Sequence, residues 1–177
     1  MGTTLLLLLG AVLIAAYVFR RLQRGAYIAA GTMAAPAPIR AAAKRLGFRA
    51  QPNVHSTDSI HTPELCVAAM AAAYAHMDKT EKLPDEVLIT SLRKRLQVTQ
   101  AEATDMATLA PWLVEQGGGD TPAFQRLTKR LKQLDHGPDF DKLMRVLGDV
   151  TAAGTKGMPS AAQADAMGAL ARIFRTA

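Results

Sequence analysis

Seventeen consecutive positions, Thr3 to Phe19 (TTLLLLLGAVLIAAYVF), carry no charge, and RRLQR follows at once. At about 1.5 Å per residue this run makes a helix of roughly 25 Å, within the range that crosses a hydrocarbon core of about 30 Å. Arg20, Arg21 and Arg24 can snorkel to the headgroups, and Tyr17 suits the interface. The pattern predicts a transmembrane helix. A cleaved signal peptide and a buried first helix are the competing readings. A signal peptide wants positive side chains ahead of its apolar run, and none stands there. A buried helix of a soluble domain is rarely so uniformly apolar. Because the arginines follow the span, the positive-inside rule puts the rest of the chain in the cytoplasm, with the N-terminus outside an inner (plasma) membrane.

From Thr62 onward the apolar positions recur at helical spacing, with start signals ahead of each stripe. Thr62-Pro63-Glu64 opens a helix to about Met77. Pro84 with Asp85 and Glu86 opens a second, whose stripe is Leu88, Ile89, Leu92 and Leu96. Thr99 to Glu102 is a capping box for a third, to about Gln116, stopped by GGGD. Thr121-Pro122 opens a fourth, striped by Phe124, Leu127, Leu131 and Leu134. Pro138 opens a fifth with Phe140, Leu143, Leu147 and Val150. Ser160 to Gln163 is a capping box for a sixth with Ala164, Met167, Leu170 and Phe174. No stretch alternates with period two, and no heptad persists. The fold class is therefore all-α: an N-terminal transmembrane helix plus a compact array of about six short helices. A shift of 75 residues lays Ala68, Ala71, Ala72 and Ala75 on Leu143, Val146, Leu147 and Val150, and Leu83-Pro84 on Met158-Pro159. That is a weak two-fold internal repeat of helix–loop–helix units.

The stretch between span and body reads as a connector. AAPAP at 34–38 resists helix, and QPNVHSTDSIHTP at 51–63 is rich in turn formers. IRAAAKRLGFR at 39–49 fits one short amphipathic helix with Ile39, Leu46 and Phe48 as apolar anchors. Arg40, Lys44, Arg45 and Arg49 surround them. Contact with anionic lipid headgroups and a solvated linker are both open readings. The organisation expected is 1–31 anchor and basic juxtamembrane segment, 32–62 linker, and 63–177 helical domain.

The net charge of +6 sharpens this division. Residues 1–62 hold seven Lys/Arg and one acid, Asp58, whereas residues 63–177 hold fourteen of each. A nucleic-acid-binding body would carry the basic surface itself, so nucleic acid is not an expected partner. The single cysteine, Cys66, excludes an internal disulfide. It lies in the Ala-rich first helix of the body, where burial is expected rather than nucleophilic chemistry. The histidines at 55, 61, 76 and 136 show no metal-ligand spacing. No phosphate-binding or nucleophile-elbow motif occurs, so neither an enzyme nor a small-molecule substrate is expected. Trp112 is expected in the core or, alternatively, as an interface anchor.

HMDKTEKLPDEV at 76–87 concentrates Asp78, Glu81, Asp85 and Glu86 between two apolar runs. As an EF-hand it fails: counted from Asp78, the alternate positions read Thr80 and Lys82, and Leu83 stands at the sixth. Asp85 and Glu86 also suit the positive end of a helix dipole. A divalent cation held by Asp78, Glu81, Asp85 and Glu86 is the alternative reading of this loop.

The small-residue helix, loop and capped helix, occurring twice over 63–177, resemble the TerB-like family named for tellurite-resistance proteins. In the first loop Asp78 matches the family's aspartate, Lys79 replaces its glycine, and Glu86 stands one position before the expected glutamate. In the second, AAGTKGMPSAAQ, Gly154 keeps the glycine while Ala153 and Ala162 replace the acids. The resemblance implies two helix–loop–helix repeats and loops that bind metal ions. A membrane span ahead of such a domain is similar to the front part of membrane-anchored DnaJ-like co-chaperones. The His-Pro-Asp signature of a J domain is absent. The function expected is a membrane-anchored, non-catalytic interaction protein whose partner is another membrane or envelope protein. An accessory subunit of a membrane complex and a metal-dependent stress sensor are the alternatives.

Overall fold

A computed structural model describes residues 35–78, 83–134, 138–154 and 157–175. These residues form seven helices and no strand: α1 (Ala37–Arg45), α2 (Pro63–Met77), α3 (Asp85–Leu96), α4 (Gln100–Gln116), α5 (Asp120–Leu134), α6 (Asp139–Ala153) and α7 (Ala161–Arg175). The expected transmembrane stretch, 3–19, lies outside the described residues. Among the described residues no helix is long and apolar enough to cross a membrane.

α2 is the centre. From Leu65 to Ala75 every residue is buried, and Met77 is buried too. A helix that is apolar all round has no solvent face and must be enclosed. It packs against α4, α5 and α6 and touches α3 and α7 at its edges. Ala68, Ala69, Ala71, Ala72 and Ala73 keep it thin, so bulkier stripes can close on it: Leu109 and Leu113 from α4, Phe124, Leu127 and Leu131 from α5, Leu143 and Leu147 from α6. Tyr74 faces Phe124 with ring centroids 6.3 Å apart.

The helix starts follow their sequence signals closely. Both halves of the Thr99 box form: Glu102 N–H donates to Thr99 Oγ1 at 3.2 Å, and Thr99 N–H donates to Glu102 Oε2 at 2.8 Å. The Ser160 box forms likewise, at 3.3 and 2.9 Å. Between α4 and α5 the chain turns through Gly117, Gly118 and Gly119. The last two have φ of +93° and +99°, a region that suits glycine. Gly117 is required for a different reason, since a Cβ there would lie 2.5 Å from Ala123 Cβ.

Two sequence expectations are corrected. The stretch 32–62 is not a free linker over its described part. Ala42 and Ala43 of α1 are buried, as are Phe48, Thr57, Ser59 and Ile60. α1 lies along α4, where Phe48 meets Trp112 edge-on with centroids 6.4 Å apart. The folded body therefore begins by Ala35, and the apolar side of α1 faces α4 rather than lipid. Turn-rich composition concealed this, because the segment is held by long-range bonds: Arg130 Nε donates to the Ile60 carbonyl at 2.7 Å. The second correction concerns α7. Leu170, Met167 and Phe174 of the expected stripe pack on the core, but Ala164 is exposed and Gln163 and Ala166 are buried in its place. Gln163 turns inward because its Nε2 donates to the Tyr74 carbonyl at 2.9 Å.

Shifted by 75, α2 falls on 138–152 and α3 on 160–171, against α6 at Asp139–Ala153 and α7 at Ala161–Arg175. Each pair's second helix contacts the other pair's first helix: α3 lies on α6, and α7 touches α2.

Candidate functional site

The described residues on either side of the loops after α2 and α6 come together at one end of the body. A depression of about 20 Å³ is lined by Ala75 of α2, Asp78 and Leu83 beyond it, Val150 and Thr151 of α6, Gly154 and Met158 beyond it, and Gln163 of α7. That is room for about one water. The side chains that frame it are bonded to each other. Tyr74 Oη and Thr151 Oγ1 are 3.0 Å apart, and Gln163 spans from the Ser160 cap to the Tyr74 carbonyl. Met158 is 73% exposed on the rim.

This junction holds Asp78, one of the four acids considered as metal ligands. Asp85 and Glu86 occupy the first turn of α3, both exposed, where their charge suits the helix dipole. Glu81 lies outside the described residues. Among the described residues no group of three His, Cys, Asp or Glu is arranged to hold a metal ion.

A second feature escaped the sequence reading. An open groove of about 400 Å³ runs beside α3 and α6, lined by Glu86, Val87, Thr90, Ser91, Lys94 and Asp149. Asp149 is its electrostatic centre. It accepts from Arg95 Nε at 2.9 Å, Arg95 Nη2 at 2.7 Å and Ser91 Oγ at 2.7 Å. The guanidinium of Arg95 holds its carboxyl below the usual range, with help from Ser91 and Lys94, while partial burial opposes the shift. The visible signal was an acid inside the apolar stripe Val146, Leu147 and Val150. No helical periodicity, however, names its partner 54 residues away.

The basic residues of the N-terminal part divide. Arg20, Arg21 and Arg24 lie outside the described residues. Arg40 and Lys44 on α1, and Arg49 after it, are exposed. Arg45 is engaged: its Nε donates to Asp105 Oδ2 at 2.7 Å and Nη2 to Oδ1 at 2.5 Å. Trp112 is 9% exposed and packed on Phe48, the core placement that was the first of its two expected readings. Cys66 is fully enclosed, its thiol donating to the Leu127 carbonyl at 3.4 Å and its ionisation pushed far up by burial. Among the described residues every buried side-chain nitrogen or oxygen has a hydrogen-bond partner. Ser91, Asp105 and Gln163 make theirs between helices, whereas Thr128 bonds within its own. Compared with known proteins, the chain matches no family model, no curated protein and no solved structure.

Proposed function

We propose that this chain is a single-pass membrane protein that displays a non-catalytic helical body to the cytoplasm, as a binding or scaffold element for another membrane or envelope protein. The observation that carries the reading is the charge-free run Thr3–Phe19 abutting Arg20, Arg21 and Arg24. Support comes from a body in which, among the described residues, every buried side-chain nitrogen or oxygen has a hydrogen-bond partner. Confinement to a membrane surface raises the effective concentration of such a body for its neighbours. Gly10, Ala11 and Ala15 would allow the span to pack closely in a larger complex, which is the accessory-subunit form of the same idea.

A TerB-like architecture is part of this proposal. Its support is the 75-residue correspondence of α2–α3 with α6–α7 and the meeting, at one end, of the described residues flanking both loops. A second reading, a metal-dependent stress sensor using Asp78 with Glu81, Asp85 and Glu86, rests on the concentration of acids in the 76–87 stretch of the sequence. Calorimetric titration with calcium, zinc and magnesium tests it, and an absence of heat removes it.

The leading reading is tested in membranes. Alkaline carbonate extraction should leave the full chain in the pellet, and protease added to spheroplasts should spare the body. Release into the supernatant would end the anchor, and cleavage from outside would end the cytoplasmic orientation.

A further inference from the structure

We infer that the outward face of α1, with Arg49 just beyond it, is an electrostatic docking surface for anionic lipid headgroups, engaged by charge without insertion of the helix. The inference rests on the anchored reading given above. Arg40 and Lys44 stand one turn apart on α1, a spacing that places them on one face. They and Arg49 are exposed, and none is bonded to an acid among the described residues.

Lys44 has an ordinary explanation, because a cation in the last turn of a helix suits its dipole. Arg40 does not. It lies in the first turn of Ala37–Arg45, where the helix end is positive and a cation is unfavourable. Arg49 lies beyond the helix altogether. All three are open to an external anion.

The mode of contact follows from what α1 has already used. Insertion into lipid needs a free apolar face, but Ala42, Ala43 and Phe48 are buried in the body, where α1 lies along α4 and Phe48 packs on Trp112. Arg45 is neutralised by Asp105, so it adds nothing to the surface. What remains is three exposed cations, two on one face of α1 and one just beyond its end. The connection to the span is short: from Arg24 to Ala35 is eleven residues, at most about 40 Å of chain. Each cation held near an anionic surface favours the docked state about fivefold, so three together shift it about a hundredfold.

The experiment places the full chain in lipid nanodiscs, either of phosphatidylcholine alone or containing phosphatidylserine. An amine-acylating reagent is added and each lysine is read by peptide mass spectrometry. Acylation of Lys44 should fall by about tenfold in the anionic discs. It should recover at about 1 M salt, where the screening length is about 3 Å. Exposed Lys94 and Lys129 should label equally in both discs. The double variant Arg40→Glu, Arg49→Glu should remove the protection of Lys44 while the chain still co-elutes with the discs. Equal labelling of Lys44 in both lipids, with co-elution intact, would overturn the docking surface and leave the anchor standing. Elution of the chain apart from the discs would overturn the anchor, and the docking inference with it.

Discussion

Arg95 and Asp149 tie α3 to α6 through a two-pronged bridge, Nε to Oδ2 at 2.9 Å and Nη2 to Oδ1 at 2.7 Å. Ser91 adds a third bond to the same carboxylate at 2.7 Å. Asp149→Ala removes all three and leaves the buried Ser91 hydroxyl without its acceptor. A charge-assisted bond contributes about 1.5–3 kcal/mol when sheltered, and exposed pairs much less. The half-open site therefore predicts a loss of about 1–2 kcal/mol, read as a lower urea midpoint with an unchanged slope. The same carboxyl has its native ionisation depressed by Arg95. Its contribution is full above the unfolded value near pH 4 and disappears as pH falls through the lower native value. Asp149→Asn should flatten that acid limb.

His55 governs a milder range. Its Nδ1 accepts the Thr57 N–H at 3.3 Å and lies 2.8 Å from the Thr57 hydroxyl, so a proton on that nitrogen removes an acceptor. Burial, with Arg126 nearby, pushes its ionisation below 6.5, while Asp58 and the Gln116 backbone oppose. A depressed value means stability is complete above about pH 6.5 and declines as pH falls through the native value. Unfolding midpoints measured from pH 8 to pH 5 should show this decline in the wild type and lose it in His55→Asn.

Phe48→Ala should cost about 3 kcal/mol, the range for an aromatic removed from a core. Thermal or urea unfolding reads the loss. A freely jointed linker at this position would show none, so the measurement also fixes where the folded body begins.

Gly117→Ala should destabilise by about 1–3 kcal/mol through overpacking. The backbone at Gly117 has φ −68°, which alanine adopts readily, so the cost is steric contact with Ala123 rather than strain. Ala123→Gly in the same chain should recover part of it, as a double-mutant cycle would show.

Cys66 should resist an aromatic disulfide reagent in the native protein and react at the rate of unfolding in urea, because its thiol is buried and held un-ionised.

Helix identity was legible wherever a local rule sufficed. The capping boxes at Thr99 and Ser160 appear at the expected residues because they involve neighbours three positions apart. The position of α2 was implicit in its composition, since a helix without a polar side has to be enclosed. What the sequence hid is whatever depends on distant partners. Nothing local says that Phe48 meets Trp112, that Arg130 holds the Ile60 carbonyl, or that Gln163 turns in toward Tyr74. The candidate site shows the same division. The acids of the 76–87 loop were plain in the sequence. That Asp78 comes near Gly154 and Met158 follows from α2 and α6 lying side by side, which is a property of packing.

The enclosure of α2 also sets how the molecule can be divided. Its principal neighbours all come from residue 100 onward, so a fragment ending at Leu96 would hold the central helix with hardly any of its wrapping. The remaining fragment would hold the wrapping around nothing. Neither piece has a core of its own, and each has what the other lacks. Cut between α3 and α4, the body should behave as a pair of obligate complements, soluble and structured together and neither when apart.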